Sequence, residues 1–146
     1  MNRFEEELSK DLENERLSAF LLDTHTFIWA VQEPEKLGHA ARKVIENSNN
    51  KLYLSAISAF EITNKYHIGK LPECEYFVQN YTQIAKKLGV IDLPVSLAHT
   101  WFAGQLEWNH RDPFDRLLAA QAAHDNLTLI SNDRVFKTLN YYNLLW

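Results

Sequence analysis

The sequence predicts an α/β protein of three layers, α/β/α, with a mostly parallel central sheet of about five strands between helices. Three observations carry this. Short apolar runs alternate with helical patterns from Ser18 to the end of the chain. Strands that alternate with helices are joined by crossovers, which make neighbouring strands parallel. The 146 residues, 46% hydrophobic and 12% aromatic, are enough for one substantial core and so for one domain.

Residues 1–17 read as an appendage to that domain, which spans 18–146. They carry Glu5, Glu6, Glu7, Asp11, Glu13 and Glu15 against Arg3, Lys10 and Arg16. Six acids against three bases give −3 of the chain's net −4, which leaves the remainder near neutral. Phe4, Leu8, Leu12 and Leu17 have helix-compatible spacing but make no stripe that would hold the segment to a core. It is read as a solvated or loosely docked helix.

The first strand is predicted over 18–23, where Ala19-Phe20-Leu21-Leu22 stops at Asp23, a residue also suited to capping a following helix. Leu37, Ala40, Ala41, Val44 and Ile45 fall at helical spacing over 37–47. LYLS at 52–55 is the second strand, followed by helices over 56–68 and 75–88. VIDL at 90–93 is the third strand, and helices over 96–108 and 113–125 come next. LTLIS at 127–131 and YNLLW at 142–146 complete the sheet.

Composition narrows the chemistry. A single cysteine, Cys74, excludes an internal disulfide and a multi-thiolate zinc site, and no base lies near it in sequence to make it a nucleophile. None of the six histidines has HExxH spacing. No charged-then-apolar leader opens the chain, and no apolar run approaches the roughly 18 residues of a membrane span. The expectation is a cytoplasmic protein with no membrane association.

In parallel sheets, ligands collect outside the carboxyl ends of the strands. Asp23 stands there, after the first strand. Glu61, in SAISAFEITNKYHIGKL, shares a stripe with Ile57 and Ile68, although an ordinary helix pair with Lys65 also accounts for it. Asp115, in HRDPFDRLLAAQAAHDN, shares its face with Leu118, Ala119 and Ala122, whereas Asp112, just before Pro113, reads as the N-cap. Asp133 follows the fourth strand, where a simple turn residue is the alternative. Together the four fall where a parallel sheet brings them to one edge. Crowded carboxylates raise one another's pKa and call for a cation, and hard oxygen donors suit Mg²⁺ or Mn²⁺. A site of that kind acts on phosphate esters.

The segments LLDTHTFIWA, SAISAFEITNKYHIGKL, HRDPFDRLLAAQA and LTLISNDRVF, in this order and spacing, resemble the PIN-domain ribonucleases, specifically toxins of the VapC type. The resemblance covers about residue 19 to the end. It implies a PIN-like α/β/α domain, endonucleolytic cleavage of RNA, and Asp23, Glu61, Asp115 and Asp133 as the catalytic acids that bind Mg²⁺ or Mn²⁺. It further implies a cognate antitoxin lying over the acidic site, and a homodimer. Ser131 stands where many relatives carry threonine.

Lys65, Lys70, Arg111, Arg116, Ser131 and Arg134 are candidate substrate contacts, near the acids in sequence. His25 is read as a structural hydrogen-bonder, and Trp101, Phe102 and Trp108, on one predicted helix, as core or partner contacts. Tyr76, Phe77 and Tyr81 add aromatic surface for a partner. Two other readings compete. One is a non-catalytic PIN-like interaction module; the other is a metal-dependent phosphatase of another α/β family. For a phosphatase of the HAD type, the second acid expected two residues after Asp23 is His25 instead.

Overall fold

In the computed structural model of the chain, the backbone is described throughout, and side chains are described for residues 1–11 and 18–146. Helix α1, Arg3–Leu17, leads into strand β1, Ala19–Leu22, which feeds helices α2, Thr24–Gln32, and α3, His39–Glu46. Strand β2, Lys51–Ser55, is followed by helices α4, Ala56–His67, and α5, Glu75–Leu88, then strand β3, Val90–Leu93. Helices α6, Leu97–Gln105, and α7, Pro113–His124, lead to strands β4, Thr128–Ile130, and β5, Leu144–Leu145.

All four strand pairings are parallel, and the order is β3-β2-β1-β4-β5. The chain builds outward from β1 to β3 and then crosses back to lay β4 on the other side of β1. The reversal makes the carboxyl ends of β1 and β4 the switch point, where neighbouring connections leave in opposite directions and open a crevice.

Alternation along the strands separates two cores. Phe20, Leu22, Leu52 and Ile130 face one side with Phe27, Ile28, Ala41, Phe77 and Ile84 from α2, α3 and α5. Leu21 and Leu129 face the other, with Ala103 of α6 and Leu118, Ala119 and Ala122 of α7. Helix α4 contributes to both sides, Ile57 packing on the second core and Ile62 lying in the first. The arrangement is the three-layer α/β/α fold, with strands buried on both faces as parallel sheets require.

Three elements differ from expectation. Helix α6 ends at Gln105, so Trp108 lies in the loop beyond it, where its indole donates to Thr138 Oγ1 at 2.8 Å. Leu106-Glu107-Trp108 has helical spacing, but the carbonyls of this stretch turn to Arg116 instead of continuing the helix. Helix α5 is kinked at Asn80, φ −132°, whose amide reaches back to Tyr76 O at 3.0 Å. Ile68 lies beyond the end of α4 and is exposed, so the buried Glu61 does not share a buried stripe with it. In α1, the described residues 3–11 are all exposed.

Candidate active site

Asp23 is both a cap and a site residue. Its backbone N–H extends the sheet by donating to Ile130 O at 3.1 Å, and its side chain caps α2 by accepting from Thr26 N–H at 2.7 Å. The Ser131 hydroxyl donates to the other carboxylate oxygen through a very short hydrogen bond. Burial pushes the Asp23 carboxyl above its ordinary range, and hydrogen bonds from Ser131 and Thr26, with the nearby His25, offset only part of the rise.

Helix α4 is tied to α2 by Thr24 Oγ1 donating to Ser58 Oγ at 3.0 Å, and it carries Glu61. Glu61 is only 7% exposed, and Lys65 one turn on places Nζ 2.5 Å from Glu61 Oε2 and 5.7 Å over the Phe114 ring. The helix pair is therefore real, and it sits inside the site.

Helix α7 begins as its sequence indicates. Asp112 Oδ1 accepts from Phe114 N–H at 2.9 Å and Asp115 N–H at 3.2 Å, with Pro113 in the first turn. Asp115 sits half-buried above the apolar Leu118 and Ala119, and His110 Nε2 lies 2.6 Å from its Oδ2. Burial raises the Asp115 carboxyl; His110 lowers it, while Asp112 and Asp133 push it up further. Asp133, exposed, caps the short 3-10 turn Arg134–Thr138 by accepting from Val135 N–H at 3.0 Å.

These segments converge on one cavity of about 450 Å³, lined by Asp23, Glu61, Asp112, Asp115 and Asp133, together with His25, Trp29, Lys65 and Asn132. Five carboxylates face one ammonium in this lining. Crowding of that kind is destabilising without a counter-charge, and anionic oxygen donors are the ligands that Mg²⁺ and Mn²⁺ prefer. The residues present therefore fit a hard divalent cation.

The family model for the PIN domain matches residues 20–140. The chain belongs to the PIN domain family. Ribonuclease VapC22 of Mycobacterium tuberculosis is 29% identical to this PIN domain over 118 residues, covering 81% of this chain and 89% of the relative. The structure of VapBC2 from Rickettsia felis bound to a promoter DNA fragment matches with TM-score 0.64 at 21% identity, over 86% of this chain and 96% of that one. DNA-bound VapBC from Salmonella typhimurium gives TM-score 0.64 at 18% identity, over 87% and 96% of the two chains.

Two of the expected substrate contacts are corrected by the PIN-domain structure. All five hydrogen bonds of Arg116 go to backbone carbonyls: Ala103 O twice, Leu106 O, Trp108 O and His110 O, at 2.7–3.2 Å. It clamps the loop before α7 and has no donor left for a phosphate. Ser131 is 2% exposed and lies behind Asp23, where its hydroxyl also accepts from Asp133 N–H at 3.0 Å. It bonds to two of the acids, and it is not among the residues that line the cavity. Lys65 lines the cavity, whereas Lys70, Arg111 and Arg134 are exposed and do not.

His25, expected to be a structural hydrogen-bonder, instead stands exposed at the cavity, its ring 5.8 Å from that of Trp29. Cys74 is buried in the core with its thiol pushed up to about 11 by burial, consistent with an inert side chain. Phe77 is core, whereas Tyr76, Tyr81 and Trp101 are exposed.

Sequence reasoning passed over His110. The signal was available in HRDPFD, a histidine two residues before a cap and five before a buried acid. A second cluster, His99–His124–Asp125, joins α6 to the end of α7 through the 2.8 Å contact of His99 with Asp125, which the adjacent His124 also meets at 2.7 Å. His99 Nδ1 accepts from Ser96 N–H at 3.0 Å, so the neutral ring carries its proton on Nε2, facing Asp125. Metal ligation at Nε2 would move that proton to Nδ1, against the amide. The cluster is a hydrogen-bonded tie between helices, not a metal centre.

Proposed function

We propose that this PIN domain is a divalent-metal-dependent endoribonuclease and the toxin of a toxin–antitoxin pair, with residues 18–146 as the catalytic domain and 1–17 as an appendage. The observation that carries the chemistry is the five-to-one excess of carboxylates over ammonium groups in a single cavity at the switch point of the sheet. The substrate class draws on the relative VapC22, a ribonuclease, and the antitoxin on the complexes of similar fold.

Asp23, Glu61, Asp115 and Asp133 would hold Mg²⁺ or Mn²⁺. When bound, the ion supplies Lewis acidity, lowering the pKa of a coordinated water and neutralising charge on the phosphoryl oxygens. The chain's own residues do the rest. Ser131 and Thr26 fix the Asp23 carboxylate, so its orientation is set before substrate arrives. Lys65 offsets the Glu61 charge and brings a cation to the cavity, where a phosphate oxygen can accept from it. Carboxylate oxygens not occupied by capping amides accept from the attacking water and orient it towards phosphorus. The cavity is not enclosed and exposed His25 stands at it, which suits a polymer passing across the site better than a small enclosed ester.

The antitoxin and a second copy of the chain are the expected protein partners. Exposed Tyr76, Tyr81 and Trp101, with an apolar cleft of about 270 Å³ between α4 and α5, provide contact area of the kind interfaces use. Incubation with single-stranded RNA and with p-nitrophenyl phosphate, each in Mn²⁺ and in EDTA, tests the activity. RNA alone should be cut, and only with metal. Hydrolysis of the monoester with RNA left intact would replace this reading with the phosphatase one, and inertness towards both would leave an interaction module.

A further inference from the structure

We propose that His110 is the positioning residue for Asp115, holding one carboxylate oxygen so that the other is presented to a divalent cation. The proposal rests on reading Asp115 as a metal ligand. His110 Nε2 lies 2.6 Å from Asp115 Oδ2, yet His110 is not part of the cavity wall that Asp115 helps to form. The imidazole therefore engages the carboxylate from its flank. Among the described residues, Asp115 Oδ1 accepts no protein hydrogen bond, so one oxygen is committed and the other is left to the site.

The imidazole is itself held. Its ring packs 5.0 Å from that of Trp108, whose indole N–H is fixed on Thr138 Oγ1, and Arg116 donates to both Trp108 O and His110 O, at 3.0 and 2.9 Å. Residue 116 of α7 thus grips the loop that brings residue 110 back onto residue 115. There is a physical reason to need such a device. Asp115 is the third residue of α7, and an acidic side chain at that position can turn back to the N–H of the capping residue, here Asp112. That rotamer would take the carboxylate out of the cavity. The bond from His110 opposes it. Asp23 is also held by outer partners, though on both oxygens, Ser131 on one and the Thr26 amide on the other. Outer partners of this kind commonly change metal affinity by about 10- to 100-fold when removed.

The test compares Mn²⁺ binding to the full chain, its H110A and H110Q variants and D115N, by calorimetric titration, with electron spin-echo spectra of the bound Mn²⁺ and melts in EDTA. H110A is expected to bind Mn²⁺ about 10- to 100-fold more weakly, and H110Q, which keeps an N–H donor, to recover most of the loss. The melts in EDTA should show both variants folded, and wild-type spectra should show no directly coordinated histidine nitrogen. Mn²⁺ affinity in H110A equal to wild type would overturn the proposal while leaving the acid site standing. A coordinated nitrogen lost in H110A would overturn it by making His110 a ligand. No Mn²⁺ binding by wild type, with D115N indistinguishable from it, would remove the metal reading and this proposal together.

Discussion

Replacing Arg116 with alanine should unfold this domain more readily without being a defect in substrate binding. The guanidinium makes five hydrogen bonds to the carbonyls of Ala103, Leu106, Trp108 and His110. Counting each charged bond at its usual worth would overshoot, because water replaces some of them and deletions within one network are not additive. The useful distinction is which carbonyls stay dry. Ala103 is buried, whereas Leu106 O keeps the Trp108 N–H at 3.0 Å, and Trp108 and His110 are partly exposed and can be rehydrated. One stranded carbonyl, that of Ala103, gives a cost of about 1–3 kcal/mol. For a domain of this size that corresponds to a fall in Tm on the order of 5 °C. Arg116→Lys should recover only part, since one ammonium cannot span four carbonyls. Urea melts in EDTA read the stability, and RNA cleavage at low temperature, scaled to the folded fraction, reads the site. Wild-type stability in Arg116→Ala together with lost RNA cleavage would show Arg116 to be a phosphate contact and the clamp to be dispensable.

Four further outcomes are expected. Without metal at pH 7, Asp115→Asn should be at least as stable as wild type, because burial holds the carboxyl above its ordinary value and the ionised form therefore costs the folded state. The folded state binds the extra proton, so wild-type stability falls as pH rises through the window above the usual aspartate value near about 4; the variant's advantage should shrink as pH is lowered towards it, which paired melts across that range measure. Saturating Mn²⁺ should reverse the order, since an ion at about 100 times its Kd adds about 2.7 kcal/mol to the form that binds it, and coincident melts in EDTA and Mn²⁺ would count against an assembled site. Asp112→Ala removes the acceptor of two amides and should cost about 0.5–2 kcal/mol in denaturant melts while cleavage at low temperature largely persists. Ser131→Ala should weaken Mn²⁺ binding by about tenfold, and Ser131→Thr, which keeps the hydroxyl, should restore it in the same titration.

The layout of the domain was legible because its signals are local. Alternating apolar runs gave the five strands to within a residue or two of β1 and β4, and Asp112-Pro113 marked the start of α7. The four acids could be placed together because Asp23 and Asp133 follow strands, Glu61 lies within the helix after β2 and Asp115 in the first turn of α7, and parallel strands bring these connections to one edge. What sequence could not give was the direction of long side chains. Arg116 and Arg134 look alike beside their acids, yet one folds back onto carbonyls 6 to 13 residues upstream and the other stays in solvent. Ser131 is one position from exposed Asn132, and it stays buried because its backbone N–H carries the pairing with β5 one residue past β4, to Leu145 O at 3.1 Å. The early end of α6 had no local mark at all, because its competitor is a guanidinium ten residues further along the chain from Leu106.

The most direct test is one cleavage time course on single-stranded RNA, with protein first stripped of metal by EDTA and Mn²⁺ then added in excess, run beside Asp23→Asn shown to be folded by its melt. The RNA should stay whole until the ion is added and then fragment with wild type, while Asp23→Asn stays silent throughout. Cleavage that proceeds in EDTA, or that folded Asp23→Asn carries out at the wild-type rate, would contradict an acid-held metal at this cavity as the source of activity.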